Sequence, residues 1–337
     1  MSVTYKKEEL TEIMHFKLAQ LGFDKMHADL LVNGLVDTSL RGIDTHGIKL
    51  FPVYVKELLQ GRSSILPQFQ WHQKRPATCL LDADHANGVI AASIAMDKAQ
   101  SLAEKNGIGS VVVRNTNHIG AASVYTLRAA QKGLIGICMT NSDPLVSIDN
   151  SSKAFLGTNP IAVAAPGLGS DIFNLDMATS QVAYSKVRRC AQQGEPIQEN
   201  WLSGDVVNGD FALLPLGGYK GAGLGMMVQI LTALLAGGPH DIELTHLYDE
   251  PFNEPREITC TLICIDPAAF MDRDTFYRRM SELLAMARSH ADDVILPGDK
   301  ERASYLERTE NGVPTSNEES AWLEDCKKEL KTKYVEA

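Results

Sequence analysis

The sequence predicts an α/β protein framed by helical segments at both ends. Three observations predict it. Apolar residues recur at helical spacing through the first 60 residues, β-branched runs alternate with a helical stretch from about Ala77, and helical spacing returns after Pro267. The organisation reads as residues 1–76 joined with 267–337, mostly helical, around an α/β domain at 77–266.

Each element has its own signal. Leu10, Ile13, Met14, Leu18 and Leu21 share a helical face, and Gly22 can end that helix. Asp24 can cap a second helix carrying Ala28, Leu31, Val32, Leu35 and Val36 toward Arg41. Phe51 to Leu59 predicts a third, shorter helix. Ile108–Val113, a helix over Ala121–Ala130 and Leu134–Met139 form a strand–helix–strand unit. Further strands are expected at Ile161–Ala165, Ile172–Leu175 and Ile258–Ile265, the last with Ile258, Cys260, Leu262 and Cys264 on alternate positions. A helix over Ala222–Leu235 carries Leu224, Met227, Leu231 and Leu234 on one face. Phe276, Met280, Leu283 and Leu284 mark a late helix, and Trp322 and Leu323 are anchors within a charged C-terminal stretch.

Bulk properties narrow the function. The 337 residues suffice for two domains, and 44% hydrophobic with 22% charged residues is ordinary for a soluble globular protein. A formal net charge of -10 argues against nucleic acid or an anionic membrane surface as partner, while leaving room for a small anionic substrate. Six cysteines without a CxxC pair read as reduced thiols of a cytoplasmic protein. The polar start, Met1 to Leu10, has no apolar core of a signal peptide, and the apolar helix near 224–236 is too short to span a bilayer.

Chemistry concentrates in five polar, glycine-rich stretches: Arg41-Gly42-Ile43-Asp44-Thr45-His46-Gly47, Asn117-His118-Ile119-Gly120, Gly157-Thr158-Asn159-Pro160, Asp176-Met177-Ala178-Thr179-Ser180 and Gly217-Gly218-Tyr219-Lys220-Gly221. His46 stands just past a helix end and titrates near neutrality, so it can move a proton. Its position alone favours a histidine bonded to a helix-end carbonyl over a catalytic one. His118 follows a strand, where α/β proteins gather ligands, or caps the next helix. Asp176 ends a strand and either caps a helix or faces a ligand. Lys220 before a helix suits a phosphate or carboxylate, or is a solvated loop lysine. There is no G-x-G-x-x-G after a strand, no P-loop, no H-E-x-x-H and no G-x-S-x-G. The histidines and Asp176 match no local metal-ligand spacing, so no metal is expected. Residue by residue, a dehydrogenase, a metal hydrolase and a non-catalytic binder all remain open.

As an ordered set, R-G-x-x-[ST]-H-G, N-H-x-G, G-T-N-P, D-M-A-T-S and L-P-x-G-G-x-K-G resembles the type-2 malate/L-lactate dehydrogenase family, over nearly the whole chain to Leu296-Pro297-Gly298-Asp299. The resemblance implies a non-Rossmann, mixed-sheet dinucleotide-binding domain and a mostly helical substrate and dimerisation domain built from both termini. It implies a homodimer, NAD or NADP as cofactor, and hydride transfer involving a small 2-hydroxy or 2-oxo acid. A cyclic ketimine reductase is the alternative within the same chemistry.

By motif, His46 resembles the acid/base histidine and His118 the second candidate. Gly120, Ser142, Thr158, Asn159, Asp176, Met177, Ala178, Lys220, Gly298 and Asp299 match cofactor-binding positions. Arg41, Thr45 and Lys49 are the candidates for substrate contact. Many relatives carry arginine four residues past the motif histidine; here Leu50 stands there and Lys49 precedes it, so the carboxylate would meet a point charge instead of a fork. The stretch 147–154 lacks the paired glycines usual before G-T-N-P, and 194–212 is shortened.

Overall fold

The computed structural model describes residues 3–149, 151–206 and 208–336. The chain opens with β1 (Val3–Tyr5) and three helices, α1 (Lys7–Gln20), α2 (Lys25–Leu40) and α3 (Phe51–Gln60). Asp24 caps α2 by accepting from the His27 amide, as its residue type predicts. Two 3-10 turns, Asp44–His46 and Ile48–Leu50, separate α2 from α3.

The α/β region follows as β2 (Gln70–Arg75), β3 (Thr78–Ala86), α4 (Gly88–Asn106), β4 (Ile108–Thr116), α5 (Ser123–Gln131), β5 (Ile135–Thr140), β6 (Ile161–Pro166) and β7 (Ile172–Met177). Then come α6 (Tyr184–Gln193), a hairpin of β8 (Leu202–Asp205) and β9 (Asp210–Leu213), α7 (Tyr219–Gln229) and β10 (Ile258–Ile265). The shortened stretch noted in the sequence holds that hairpin; residues 150 and 207 lie outside the described residues. The chain ends with α8 (Arg273–Ser289), α9 (Asp299–Asn311), β11 (Val313–Thr315) and α10 (Asn317–Glu336).

Seven strands form one sheet in the order β2-β3-β4-β10-β5-β6-β7. Only β3 and β4 run parallel, joined through α4; every other neighbouring pair is antiparallel. This is a mixed sheet and not a Rossmann fold. Alternation in β10 divides its residues between two faces. Cys260, Leu262 and Cys264 join the core under α4 and α5, and Thr261 turns to the other face, where its hydroxyl donates to the Leu231 carbonyl.

A second core lies among the helices. Leu10, Leu31, Leu35, Phe51 and Tyr54 pack with Val313, Leu323 and Cys326 from the far end of the chain. Trp322 meets Phe51 edge-on, ring centroids 5.4 Å apart, and β1 pairs antiparallel with β11. Both termini thus contribute to one hydrophobic cluster, which stabilises them jointly.

Helix α7 buries Gly221, Ala222, Gly225 and Val228, with Gly221 against Leu216 and Gly225 against Leu156 and Thr179, before a π-helical turn over Ile230–Leu234. The apolar face of Leu224, Met227 and Leu234 points outward and is exposed. In α8 only Leu284 of the predicted apolar set is buried. No helix among the described residues is long and apolar enough to cross a membrane.

Candidate active site

His46 and His118 come together although 72 positions separate them: their rings lie 5.5 Å apart, inclined by 31°. His46 ends the first 3-10 turn, and its Nδ1 lies 2.9 Å from the Thr45 hydroxyl. Arg308 of α9 reaches across to hold this turn, donating to both Asp44 carboxylate oxygens and to the Ser39 carbonyl. The Ser39 hydroxyl accepts from the Ile48 amide, and a Cβ on Gly47 would fall 2.0 Å from that oxygen. Glycine at 47 is therefore a packing requirement.

His118 sits beyond the end of β4. Beneath it the buried Asn117 amide donates to the carbonyls of Arg62, His85 and Ala86. A Cβ on Gly88 would lie 2.4 Å from the His118 carbonyl oxygen, so the start of α4 fits only glycine there. The Tyr54 hydroxyl lies 2.7 Å from His118 Nδ1, and the Gly120 amide donates to the same nitrogen at 3.3 Å. An amide N–H can only donate, so Nδ1 is the acceptor and the neutral ring carries its proton on Nε2. Burial lowers the His46 pKa; burial first, then His46 and Arg256, hold His118 well below the usual imidazole range. Both rings are neutral near pH 7.

The remaining motif residues occupy a second region. Ser142 and Thr158 are neighbours: the Ser142 hydroxyl accepts from the Thr158 amide at 3.0 Å. The Asn159 side chain is fully buried and spent on protein, donating to the Gly225 carbonyl and Asp241 and accepting from the Ser142 amide. It braces the turn from behind. Asp176 accepts from the Ser123 amide at the first turn of α5, so it caps a helix and also lines an open crevice. Met177 and Ala178 follow, half-buried, at the end of β7. Lys220 is exposed on the first turn of α7, behind Gly217 and Gly218, whose φ angles of 61° and 70° suit glycine.

Across the crevice, Gly298 turns with φ 96° against Asn174, while Asp299 is fixed by the Leu296 amide and Arg288. This crevice, about 270 Å³, shares Asn174 and Gly298 with a larger cleft of about 780 Å³ that does not reach the histidines. Arg41 lines the larger cleft, its guanidinium paired with Asp37 and stacked on Tyr305. Lys49 is exposed on the second 3-10 turn, and Leu50 is buried in the helical core. The residues missed from sequence are Tyr54 and Arg256, while Asn117 was read only as part of the N-H-x-G motif, without its bracing role. Tyr54 had a signal: it lies on the predicted third helix, two turns past His46.

A sequence model of the malate/L-lactate dehydrogenase family matches residues 5–324. The chain belongs to this family. A malate dehydrogenase of Pyrococcus abyssi is 36% identical over 335 residues, covering 93% of this chain and 91% of the relative. An NAD(+)-dependent ureidoglycolate dehydrogenase of Escherichia coli K12 is 33% identical over 284 residues, covering 82% and 81%. The solved sulfolactate dehydrogenase of Methanocaldococcus jannaschii superposes with a TM-score of 0.90 at 28% identity, covering 98% of each chain.

Proposed function

We propose that this member of the family is an NAD(P)-dependent oxidoreductase of small 2-hydroxy and 2-oxo acids, with His118 as the proton-transfer group and His46 as its partner at the substrate oxygen. The observation that carries the reading is the pair of neutral imidazoles, one held with Nε2–H outward by Tyr54 and Gly120. A neutral ring in that form hydrogen-bonds to a carbonyl oxygen through Nε2–H; having taken up a proton, it can give one to that oxygen as the hydride arrives and be left neutral. His46, whose Nδ1 meets the Thr45 hydroxyl, would hold the same oxygen by a hydrogen bond.

The second region fits a dinucleotide. Asn174, which lines the crevice, has a buried side-chain oxygen without a hydrogen-bond partner, and Lys220 offers a cation beside exposed amides at a helix start. Ser142, Thr158, Asp176, Met177, Ala178 and Lys220 would hold the cofactor, with Gly120 toward the histidines and Gly298 and Asp299 across the crevice. When bound, the nicotinamide supplies or accepts the hydride. Lys49 supplies charge for the substrate carboxylate.

A homodimer completes the reading. Met226, Ile230 and Leu234 form a half-exposed apolar stripe along α7 and its π-helical turn, the kind of surface a second copy could cover. Sedimentation should give twice the 36.8 kDa chain mass. Six buried free thiols fit a reducing cytoplasm, and the net charge of -10 fits a protein without nucleic-acid partners.

The test is a panel of oxaloacetate, pyruvate and a cyclic imino acid, each with NADH and NADPH, followed by nicotinamide absorbance. Oxidation of either cofactor by a 2-oxo acid supports the proposal. Oxidation by the imino acid alone moves the enzyme to ketimine reduction, and no oxidation by any member removes the reading.

A further inference from the structure

The larger cleft, about 780 Å³, has no part in the reaction described so far, yet it holds Arg41, the first residue of the R-G-x-x-[ST]-H-G motif. The end of α5 and strand β7 give it an apolar floor of Leu127, Ala130 and Ile172. Helix α9 turns Arg302, Tyr305 and Leu306 inward; the last two lie three and four residues after the first and share its face. Gly42 brings Arg41 onto the same wall. It turns with φ 80°, and a Cβ there would lie 2.9 Å from the Ser304 hydroxyl of α9. The Arg41 guanidinium stacks on Tyr305, one turn along from Arg302.

Charge and an unspent amide set the chemistry of a ligand. Four cations and one carboxylate line the cleft, in a chain of net charge -10. The carboxylate, Asp299, is taken by Arg288 and the Leu296 amide. Arg41, Lys132 and Arg273 lean on Asp37, Asp97 and Asp266. Arg302 is freer: it donates to the Ser170 hydroxyl and stands 3.8 Å from Asp171, too far for a hydrogen bond. Asn174 lies where cleft and crevice meet, against Gly298, and the Arg302 amide closes the next helical turn on the Gly298 carbonyl. Asn174 is 6% exposed, and its side chain makes no hydrogen bond among the described residues. A buried amide left unpaired is costly unless a ligand completes it. A half-turn about its last torsion exchanges its oxygen and nitrogen, so it can meet either an amine or a ring nitrogen.

We propose that the cleft binds an adenosine phosphate, with the base on the floor of Leu127, Ala130 and Ile172, its edge against Asn174, and the phosphate on Arg302 and Arg41. The base removes apolar surface from water, and planar guanidinium groups suit phosphate oxygens. That unit comes either from the adenosine half of the dinucleotide or from a free adenine nucleotide. The cleft joins the crevice at Asn174 and Gly298, so both sources can reach it. Only the first source rests on the dinucleotide reading.

Calorimetric titration of the full chain with AMP, adenosine and ribose 5-phosphate tests the site. AMP should bind, and the other two about tenfold or more weaker, because each lacks one recognised part. Arg302→Ala should weaken AMP about tenfold and leave adenosine unchanged. Asn174→Leu should weaken AMP and adenosine alike, about fivefold or more, without lowering the melting temperature, because the amide it removes has no partner. No heat with AMP, or an AMP affinity unchanged by both substitutions, overturns the proposal. Titration in saturating NADH separates the sources: loss of AMP binding assigns the cleft to the adenosine half of the cofactor, and retained affinity assigns it to a free nucleotide. AMP binding needs no turnover, so a protein inactive on every 2-oxo acid would remove the dehydrogenase reading and leave this proposal to its own result.

Discussion

His118 and Lys220 stand in regions built on opposite terms. His118 is fixed by Tyr54, by the Gly120 amide and by the three carbonyls that anchor Asn117 beneath it, while Arg308 locks the facing turn of His46. Lys220 is exposed on a helix start reached through two glycines in left-handed conformation, with no hydrogen bond or ion pair among the described residues. The roles proposed for the two account for the difference. A proton moves over a few tenths of an ångström, so a proton carrier at His118 would have to be held before substrate arrives. A cofactor that enters and leaves would need an open cation, as at Lys220, and amides free to meet it.

The largest expected effect breaks the fixed side. His118→Ala should lower kcat by about 100-fold or more, while cofactor affinity, read by nicotinamide fluorescence, stays within about twofold. His46→Ala should lower kcat less. The reverse order would make His46 the proton carrier and His118 its support.

Lys220→Met should invert that pattern. Loss of a charge-assisted contact worth roughly 1.5–3 kcal/mol raises the cofactor Kd by about 10- to 100-fold with little change in kcat at saturation. Equal losses in Kd and kcat would merge the two regions into one.

A pH trend sharpens the comparison without substrate. Native His118 stays neutral where the unfolded chain has already taken a proton. Its contribution to stability is whole above the unfolded value near 6.5 and is lost as pH falls toward the lowered native one. Urea midpoints should therefore drop on acidification below about 6.5, and drop less in His118→Gln. Equal drops in both proteins would mean that His118 is not held neutral. The smallest effect is expected at the exposed Lys49, where Lys49→Met should raise KM for the acid by under about 1 kcal/mol and leave kcat unchanged; an unchanged KM would return the carboxylate grip to another residue.

Much of this was legible from residue order. The helices before residue 60 follow their apolar spacing, and strand β10 follows its alternation of apolar residues and threonine although both its faces are covered. Helix α4 went unread: Ala91, Ala92, Ala95 and Ala99 on its buried face give only a weak apolar signal, although Asp97, Lys98, Ser101, Glu104 and Lys105 line the opposite face at helical spacing. The outward face of α7 deceived for the opposite reason, since Gly221, Ala222 and Gly225 are buried while Leu224 and Leu234 are exposed. Within the site, the histidines announce themselves by their glycine flanks. Arg256 carries no such local signal, because only folding brings α3 and the approach to β10 together. Asn159 lay in the right motif, yet its side chain is consumed in bracing the turn.

The most direct test follows the hydrogen itself. Reduced cofactor deuterated at the transferring position of nicotinamide C4 is turned over with the 2-oxo acid selected by the panel, and the product is read by mass spectrometry. The account predicts one deuterium at C2 of the 2-hydroxy acid, with its formation slowed about 100-fold or more in His118→Ala. Product without label at C2, or labelled product formed at the wild-type rate by His118→Ala, would contradict it.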